Sequence, residues 1–283
     1  MVQIGLLYDQ LRPDERLIIE AAKRKSVDLH LYDTDEIPFE VTGKSDGLNA
    51  DVFLQRCISY FRAVHLAATL ETSGKTVVNS YDAMSVCGNK LLASLRLSQA
   101  GIPTPRTMLA FTEEAALNAL DKLGYPAIIK PVVGSWGRLV AQINDPGTAR
   151  SLIEAREYMH PLQQVYYLQE KIKRPNRDIR CYVIGDEAVA AIYRNAPAKD
   201  WRTNTALGGE AETCKITPDL SEISIRAAKS VGGGAFGVDL METENGLVVH
   251  EVNHTTEFKN TVRVTGVDIP GKILDYAASQ AKK

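Results

Sequence analysis

The sequence lacks the features that mark several large classes of protein. No apolar run reaches the ~18 residues that a membrane-spanning helix needs. The N-terminus, MVQIGLLYD, reaches an acidic residue without a basic region, which is untypical of a secretory signal. The formal net charge is −2, with neither a basic excess nor an acidic tail. We therefore expect a cytoplasmic protein that binds neither nucleic acid nor a membrane.

Cysteine is scarce, and the commonest phosphate-binding loop is absent. The four cysteines, Cys57, Cys87, Cys181 and Cys214, form no C-x-x-C pair. This scatter favours a reduced cytosolic protein over a disulfide or zinc framework. No G-x-x-x-x-G-K-[ST] pattern occurs, which excludes a P-loop.

What is present indicates a mixed α/β and α+β fold in three parts. Strands alternate with helices over residues 1–88, which predicts a small parallel sheet. From residue 89 the pattern changes, and residues 89–172 predict an α+β unit. Residues 173–283 predict two antiparallel hairpins, around Gly185-Asp186 and Asn245-Gly246, and a last helix from about residue 269.

Two familiar sequence motifs occur in residues 173–283, but neither has the secondary structure that its usual function requires. Residues 230–240, SVGGGAFGVDL, contain G-x-G-x-x-G, but a predicted helix precedes the glycines and a strand follows them. A dinucleotide-binding loop needs the reverse order, whereas glycines after a helix are an ordinary cap. His250 and His254 match H-E-x-x-H, yet their segment reads as a strand. The histidines would then stand roughly 13 Å apart and could not share a zinc ion.

The same strand predicts a different metal site. Glu251 and Asn253 are two residues apart and therefore point to one face. A turn at Asn245-Gly246 alone would place Asp239 on the wrong face, whereas a three-residue loop that begins at Glu244, with a bulge, pairs Asp239 with Glu251. We predict the second register. The three side chains supply the hard oxygen ligands that Mg²⁺ prefers, and a metal would also neutralise acids that lie within apolar runs.

Two lysines are candidates for nucleotide phosphates. Lys130 ends an apolar strand and precedes the glycine-rich loop VVGSWGR. Lys90 opens a helix, where the dipole disfavours a cation unless the side chain reaches an anion. Taken singly, each lysine is more often a surface residue whose stem covers apolar groups.

As an ordered set, these residues resemble the ATP-grasp superfamily and, within it, the RimK-like ligases. The resemblance runs from about residue 85 to the C-terminus, and the N-terminal unit resembles a pre-ATP-grasp domain. The segments GSWGR, RTNTA and NHTTEFKN further resemble the LysX group. An ATP-grasp fold is thus implied: a pre-ATP-grasp domain (1–88), a central subdomain with a flexible phosphate loop (89–172), and a C-terminal subdomain with the metal hairpin and substrate site (173–283).

The resemblance also implies a reaction. Such enzymes phosphorylate a carboxylate with ATP, and an amine then attacks the acyl phosphate. In the LysX group, which acts in lysine biosynthesis, the γ-carboxyl of the C-terminal glutamate of the small acidic carrier protein LysW is joined to the α-amino group of α-aminoadipate. The alternatives are a glutamate–LysW ligase of arginine biosynthesis, a bifunctional enzyme, a RimK-type glutamate ligase on a protein tail, and a nucleotide-binding regulatory module without turnover. A homodimer or homotetramer is expected.

Residue roles follow from the resemblance position by position. The expected ATP contacts are Lys90, Lys130, Gly134, Ser135, Trp136, Gly137, Arg138, Glu170, Lys171, Ile172, Asp178, Arg180 and Arg202. Arg194 and Asn204 would be catalytic, and Asp239, Glu251 and Asn253 would hold Mg²⁺, with two ions expected. The amino acid would contact Thr205, Ala206, Glu257, Phe258, Lys259, Asn260 and Thr261, with Lys259 on its distal carboxylate and Glu257 on its amino group. Arg62, Arg174 and Arg177 are candidates for a rim that attracts the acidic carrier.

Overall fold

The computed structural model describes residues 2–42, 48–134, 137–197 and 210–281. Its N-terminal part is a parallel sheet with flanking helices, as the alternating pattern predicts. The elements are β1 (Gln3–Tyr8), α1 (Pro13–Lys25), β2 (Asp28–Asp33), β3 (Val52–Gln55), α2 (Tyr60–Thr72), β4 (Val77–Val78) and α3 (Tyr81–Cys87). The strands lie in the order β2-β1-β3-β4, and each neighbouring pair is parallel.

The central part is an antiparallel sheet covered by two helices. It comprises α4 (Lys90–Gln99), β5 (Thr107–Ala110), α5 (Glu113–Leu123), β6 (Ala127–Lys130), β7 (Ala141–Ile143), α6 (Pro146–Glu157), a 3-10 turn (Pro161–Gln164) and β8 (Tyr166–Glu170). The strand order is β5-β8-β6-β7. Leu120 of α5 and Ile153 of α6 are fully buried in one apolar cluster with Ile129 of β6.

The C-terminal part is a five-stranded antiparallel sheet with helices around it. Its elements are β9 (Arg177–Ile184), β10 (Glu187–Asn195), β11 (Glu210–Thr213), α7 (Pro218–Ser230), β12 (Ala235–Thr243), β13 (Gly246–Asn253), α8 (Lys259–Thr265) and α9 (Ile269–Gln280). The order is β11-β10-β9-β12-β13. Because the glycine cluster joins α7 to β12, the helix-before-strand order that argued against a dinucleotide loop is confirmed.

One apolar cluster joins the first and last parts of the chain. Ile4 and Leu54 of the N-terminal sheet share it with Phe258 and with Leu274 of α9. The N-terminal sheet is therefore packed against the segment that was expected to bind the amino acid. Within the described ranges, no helix combines the length and apolarity that crossing a membrane requires.

Candidate active site

The hairpin of β12 and β13 places Asp239 directly opposite Glu251, which confirms the predicted pairing. Asn253, two residues further along β13, donates from Nδ2 to Oδ2 of Asp239 at 3.3 Å. The three proposed metal ligands therefore lie on one face of the hairpin, and all three line a single cavity of about 490 Å³.

The turn that produces this register differs from the prediction. Thr243 pairs with Gly246, so the turn holds two residues, Glu244 and Asn245, instead of three. The hydroxyl of Thr243 accepts from N of Asn245 at 3.1 Å and donates to O of Gly246 at 2.8 Å, which favours the earlier, tighter turn. The extra residue that the register needs is His250, where the ladder shifts by one. The expected loop was wrong, and a β-bulge within β13 takes its place.

Asp239 is embedded between two arginines from neighbouring strands. Arg180 of β9 donates from Nε and Nη2 to its two carboxylate oxygens, each at 2.7 Å. Nη2 of Arg194, on β10, lies 3.0 Å from Oδ2. Burial alone would raise the pKa of Asp239, but Arg180 and Arg194 outweigh that effect and hold it well below its usual range. Asp239 is therefore a fixed negative charge.

The second acid of this network is Asp178, at the start of β9. Its two carboxylate oxygens accept from Nε and Nη2 of Arg194 at 2.7 and 2.8 Å. Asp178, Arg180 and Arg194 all line the cavity. Asp178 was expected to face the ribose of ATP and Arg180 to contact ATP. The structure places both at the cavity wall, paired with Arg194 and Asp239 respectively.

The two lysines converge on the other side of Glu251. Nζ of Lys90 lies 3.1 Å from Oε1 of Glu251 and donates to O of Gly134 at 2.7 Å. Burial alone would raise the pKa of Glu251, but Lys90, with smaller contributions from His250 and Lys130, outweighs it and lowers the pKa of this carboxyl. Nζ of Lys130 donates to Oε1 of Gln169 at 2.7 Å, and burial lowers its pKa to about 8. Cations thus surround the face that carries the carboxylates.

This donor set fits Mg²⁺. Two ionised carboxylates and an amide lie together, and these are hard oxygen donors. Among the described residues, no group of three His, Cys, Asp or Glu side chains is placed to hold a metal. An ion bound by Asp239, Glu251 and Asn253 would therefore keep open positions for phosphate oxygens or water, as Mg²⁺ usually does.

The expected adenine hinge lies where β8 ends. Oε1 of Glu170 accepts from N of Arg106 at 2.7 Å, and Nζ of Lys171 donates to Oε1 of Gln142 at 2.7 Å. Both side chains are thus engaged with the central part of the chain. Recognition of a base by this segment, including Ile172, would fall to backbone groups.

The N-terminal part reaches the site through the first turn of α1, which the sequence analysis missed. Asp14 is fully buried and accepts from N of Phe258 at 2.5 Å and from N of Lys259 at 2.8 Å. The guanidinium of Arg56 donates twice to O of Thr256 at 3.2 Å. The only sequence signal was an acidic first turn at α1, which is ordinary for a helix start.

The expected substrate residues lie in and before α8. Phe258 is buried, with the guanidinium carbon of Arg56 5.4 Å from its ring centroid. Thr261 is fully buried, Asn260 is partly buried, and the side chain of Lys259 is exposed. Glu257 lines the cavity with Asp239 and Glu251.

The three arginines proposed for a carrier rim each have partners. Arg62 lies 2.5 Å from a carboxylate oxygen of Asp35 and 3.5 Å from one of Asp9. Arg177 binds Glu242 at 2.8 Å, and Arg174 donates to O of Pro175 at 3.3 Å. Carrier binding by Arg62 or Arg177 would have to compete with an acidic neighbour.

Family models match nearly the whole chain. Residues 87–277 match the RimK-like ATP-grasp domain, and residues 4–86 match the LysX preATP-grasp domain. The chain belongs to the RimK-like ATP-grasp family. It is therefore an ATP-dependent ligase with an ATP-grasp fold and an N-terminal pre-ATP-grasp domain, which confirms the fold and enzyme class that the sequence predicted.

Relatives within the RimK-like family are named for different substrates. The chain is 40% identical to the alpha-aminoadipate–LysW ligase LysX of Sulfurisphaera tokodaii, over 99% of each chain. It is 35% identical to the glutamate–LysW ligase ArgX of the same organism, over the full length of both. A RimK domain ATP-grasp protein from Sphaerobacter thermophilus shares the fold with a TM-score of 0.82 and 26% identity, covering 97% of this chain and 99% of the other.

Part of the expected RimK-like site lies outside the described residues. These positions are Ser135, Trp136, Arg202, Asn204, Thr205 and Ala206. Gly134, Gly137 and Arg138, which flank the first pair, line the cavity together with Lys90 and Lys130. The glycine-rich loop therefore begins and ends at the cavity that holds the proposed metal ligands.

Proposed function

We propose that this enzyme joins the α-amino group of α-aminoadipate to the γ-carboxyl of the C-terminal glutamate of a LysW-type carrier protein, in lysine biosynthesis. The observation that carries the proposal is the hairpin on which Asp239 faces Glu251 beside Asn253, with the cations Lys90, Lys130, Arg180 and Arg194 lining the same cavity. That arrangement suits a reaction in which negative charge develops during phosphoryl transfer.

The choice of amino acid and carrier rests on two further observations. The segment Asn253–Asn260 reads NHTTEFKN, the motif that resembles the LysX group. The LysX relative is 40% identical, against 35% for the ArgX relative from the same organism. Both relatives are named for a LysW carrier, which supports the same partner for this enzyme.

We assign the phosphate end of ATP to the two lysines and the glycine-rich loop. Lys90 and Lys130 line the cavity with Gly134 and Gly137 and would bind phosphate oxygens. Asp239, Glu251 and Asn253 would hold Mg²⁺, with two ions expected. The metal, when bound, would neutralise the negative charge that develops during phosphoryl transfer. Glu170–Ile172 would contact the adenine through backbone groups.

The proposed reaction has two chemical steps, in which Arg194, Asn204 and Arg180 would take part. The carrier carboxylate attacks the γ-phosphorus of ATP, ADP leaves, and an acyl phosphate forms. The α-amino group then attacks the acyl carbon, phosphate leaves, and an amide forms with loss of a proton. Arg194, with Asn204, would stabilise the transferring phosphoryl group and the oxyanion of the second step. Arg180 holds Asp239 in place for the metal.

Glutamate is the second candidate amino acid, because the ArgX relative is also similar over its full length. The two substrates differ by one methylene, which is worth only about 1 kcal/mol to an unspecialised pocket. The test is ADP release by the full enzyme with LysW carrier and each amino acid in turn. We expect a higher kcat/KM with α-aminoadipate. Equal values would establish a bifunctional enzyme, and a preference for glutamate would overturn the assignment.

A further inference from the structure

The residue that precedes α1 supplies a cation to the end of the cavity where the amino acid is expected. Arg12 and Glu257 both line the cavity, although they are 245 residues apart. Nη1 of Arg12 lies 3.5 Å from Oε1 of Glu257. Charge-assisted hydrogen bonds are normally about 2.7–2.9 Å long, so this contact is loose. The Glu257 side chain is 38% exposed and the Arg12 side chain 15%.

The opposite edge of the Arg12 guanidinium is firmly anchored. Its Nε and Nη2 donate to the two carboxylate oxygens of Glu15 at 2.9 and 2.8 Å. Glu15 is fully buried and also accepts from Nε of Arg56 at 3.0 Å. A planar guanidinium bound along one edge is fixed in orientation. The Nη1 group is thus aimed at Glu257 by the packing of α1.

The segment that carries Glu257 is held by the same part of the molecule. Asp14 binds the backbone of Phe258 and Lys259, and Arg56 binds the carbonyl of Thr256. Glu257 therefore lies between residues that are tied to the N-terminal part on both sides. These contacts fix the distance between Arg12 and Glu257.

We propose that Arg12 binds the α-carboxylate of the amino-acid substrate while Glu257 accepts a hydrogen bond from its α-amino group. These two substrate groups share one carbon, so their nitrogen and oxygen atoms lie roughly 3 Å apart. That separation matches the gap between Arg12 and Glu257, and the four groups then alternate in charge. A distal carboxylate, several bonds away, could not meet this pair together with the amine. The inference rests on the proposed function, because it presupposes an amino-acid substrate.

The test uses the full-length enzyme with LysW carrier and ATP, and varies the amino acid. R12A should raise KM for the amino acid about tenfold or more, because a charge-assisted contact is lost. KM for ATP should change by less than about twofold, since ATP is bound by other residues. R16A is the matched control: Arg16 is an exposed arginine four residues further along the chain, in α1, and it donates to O of Leu11 at 3.3 Å. It should behave as the wild type.

An analogue whose α-carboxylate is replaced by a carboxamide distinguishes binding from packing. The wild type should lose about as much kcat/KM with the analogue as R12A loses with the natural amino acid, and R12A should lose little more. If R12A unfolds, R12K is measured instead. The loss of kcat/KM on replacing the amino acid by the analogue should be smaller for R12K than for the wild type. Equal losses of kcat/KM for the two proteins, or an unchanged KM for the amino acid in folded R12A, would overturn the inference. A wild type without amino-acid-dependent ADP release would instead refute the proposed function itself.

Discussion

Asp239 lies directly opposite Glu251 because β13 has one extra residue, His250, between this pair and the turn. His250 forms a β-bulge, since the next pair towards the turn is Leu240 with Val249. Without it, the register set by the Glu244-Asn245 turn would place Asp239 opposite His250 and move Glu251 to the other face. The metal-binding face of the hairpin therefore depends on one inserted residue.

The first prediction concerns the metal. E251Q removes a carboxylate that faces Asp239 and should raise the Mg²⁺ concentration for half-maximal ADP formation by at least about tenfold. E242Q is the control, because Glu242 is also on β12–β13 but binds Arg177 at 2.8 Å, away from the cavity lining. A Mg²⁺ titration that is the same for E251Q and wild type would remove Glu251 from the ligand set.

The second prediction concerns the stability of the buried charge network. D239N leaves Arg180 without its bidentate partner and should lower the free energy of unfolding by about 3 kcal/mol, as expected when one partner of a buried ion pair is removed. D82N is the comparison, since Asp82 meets Arg96 at 3.5 Å on the surface and is 64% exposed. It should change the unfolding free energy by less than about 1 kcal/mol. Urea denaturation measures both, and equal small losses would contradict the account.

The third prediction concerns pH. Burial lowers the pKa of Lys130 from 10.5 to about 8, so its ammonium is lost as the pH rises through that value. KM for ATP should then rise, by roughly tenfold per pH unit at most. Stability changes in the opposite direction: burial of the charged Lys130 destabilises the fold, and this penalty is relieved between pH 8 and 10.5, where the folded protein has lost the proton that the unfolded chain still holds.

K130R provides the control for this pH effect, because an arginine stays charged throughout the range. Its KM for ATP should stay level above pH 8, where that of the wild type climbs. Parallel profiles for the two proteins would show that another group titrates.

The fourth prediction concerns the glycine cluster. A Cβ on Gly234 would lie 2.1 Å from Oδ1 of Asn79, at a φ of +145°. Asn79 uses that oxygen to accept from N of Ala235 at 2.7 Å, so it has little freedom to move. G234A should lower the free energy of unfolding by about 3 kcal/mol through overpacking and backbone strain.

Gly233 is the matched control within the same cluster. Its φ is +72°, and a Cβ there would meet nothing within 4 Å. G233A should therefore cost only about 1 kcal/mol, from the left-handed backbone. Equal losses for the two variants would show that backbone conformation alone accounts for these glycines.

Much of the site could be predicted because it follows from local patterns. Glu251 and Asn253 share a face through the two-residue period of a strand, and the partner position of Asp239 follows from the hairpin. The location of the turn could not be predicted, because the Thr243 hydroxyl and a bulge at His250 decide it. Local sequence propensity favours a turn at Asn-Gly, but it takes no account of hydrogen bonds such as those of the Thr243 hydroxyl.

The contribution of α1 to the site could not be predicted for another reason. Asp14 and Arg12 lie about 240 residues before the segment they contact, and only the packing of the N-terminal sheet against α9 and Phe258 brings them together. Helix α8 could not be predicted either, because its seven residues are too few to show the hydrophobic periodicity of a helix. Its start is held by Asp14, while Phe258 makes no side-chain cap.

The central claim is that the enzyme attaches α-aminoadipate to a LysW carrier, and the intact mass of the carrier tests it most directly. The full-length enzyme is incubated with carrier, ATP, Mg²⁺ and α-aminoadipate. The account predicts that each modified carrier gains the mass of one α-aminoadipate less one water, with one ADP released per addition. An unchanged carrier mass would contradict it, provided that the same enzyme adds successive glutamates to a basic tail peptide in a parallel reaction with glutamate.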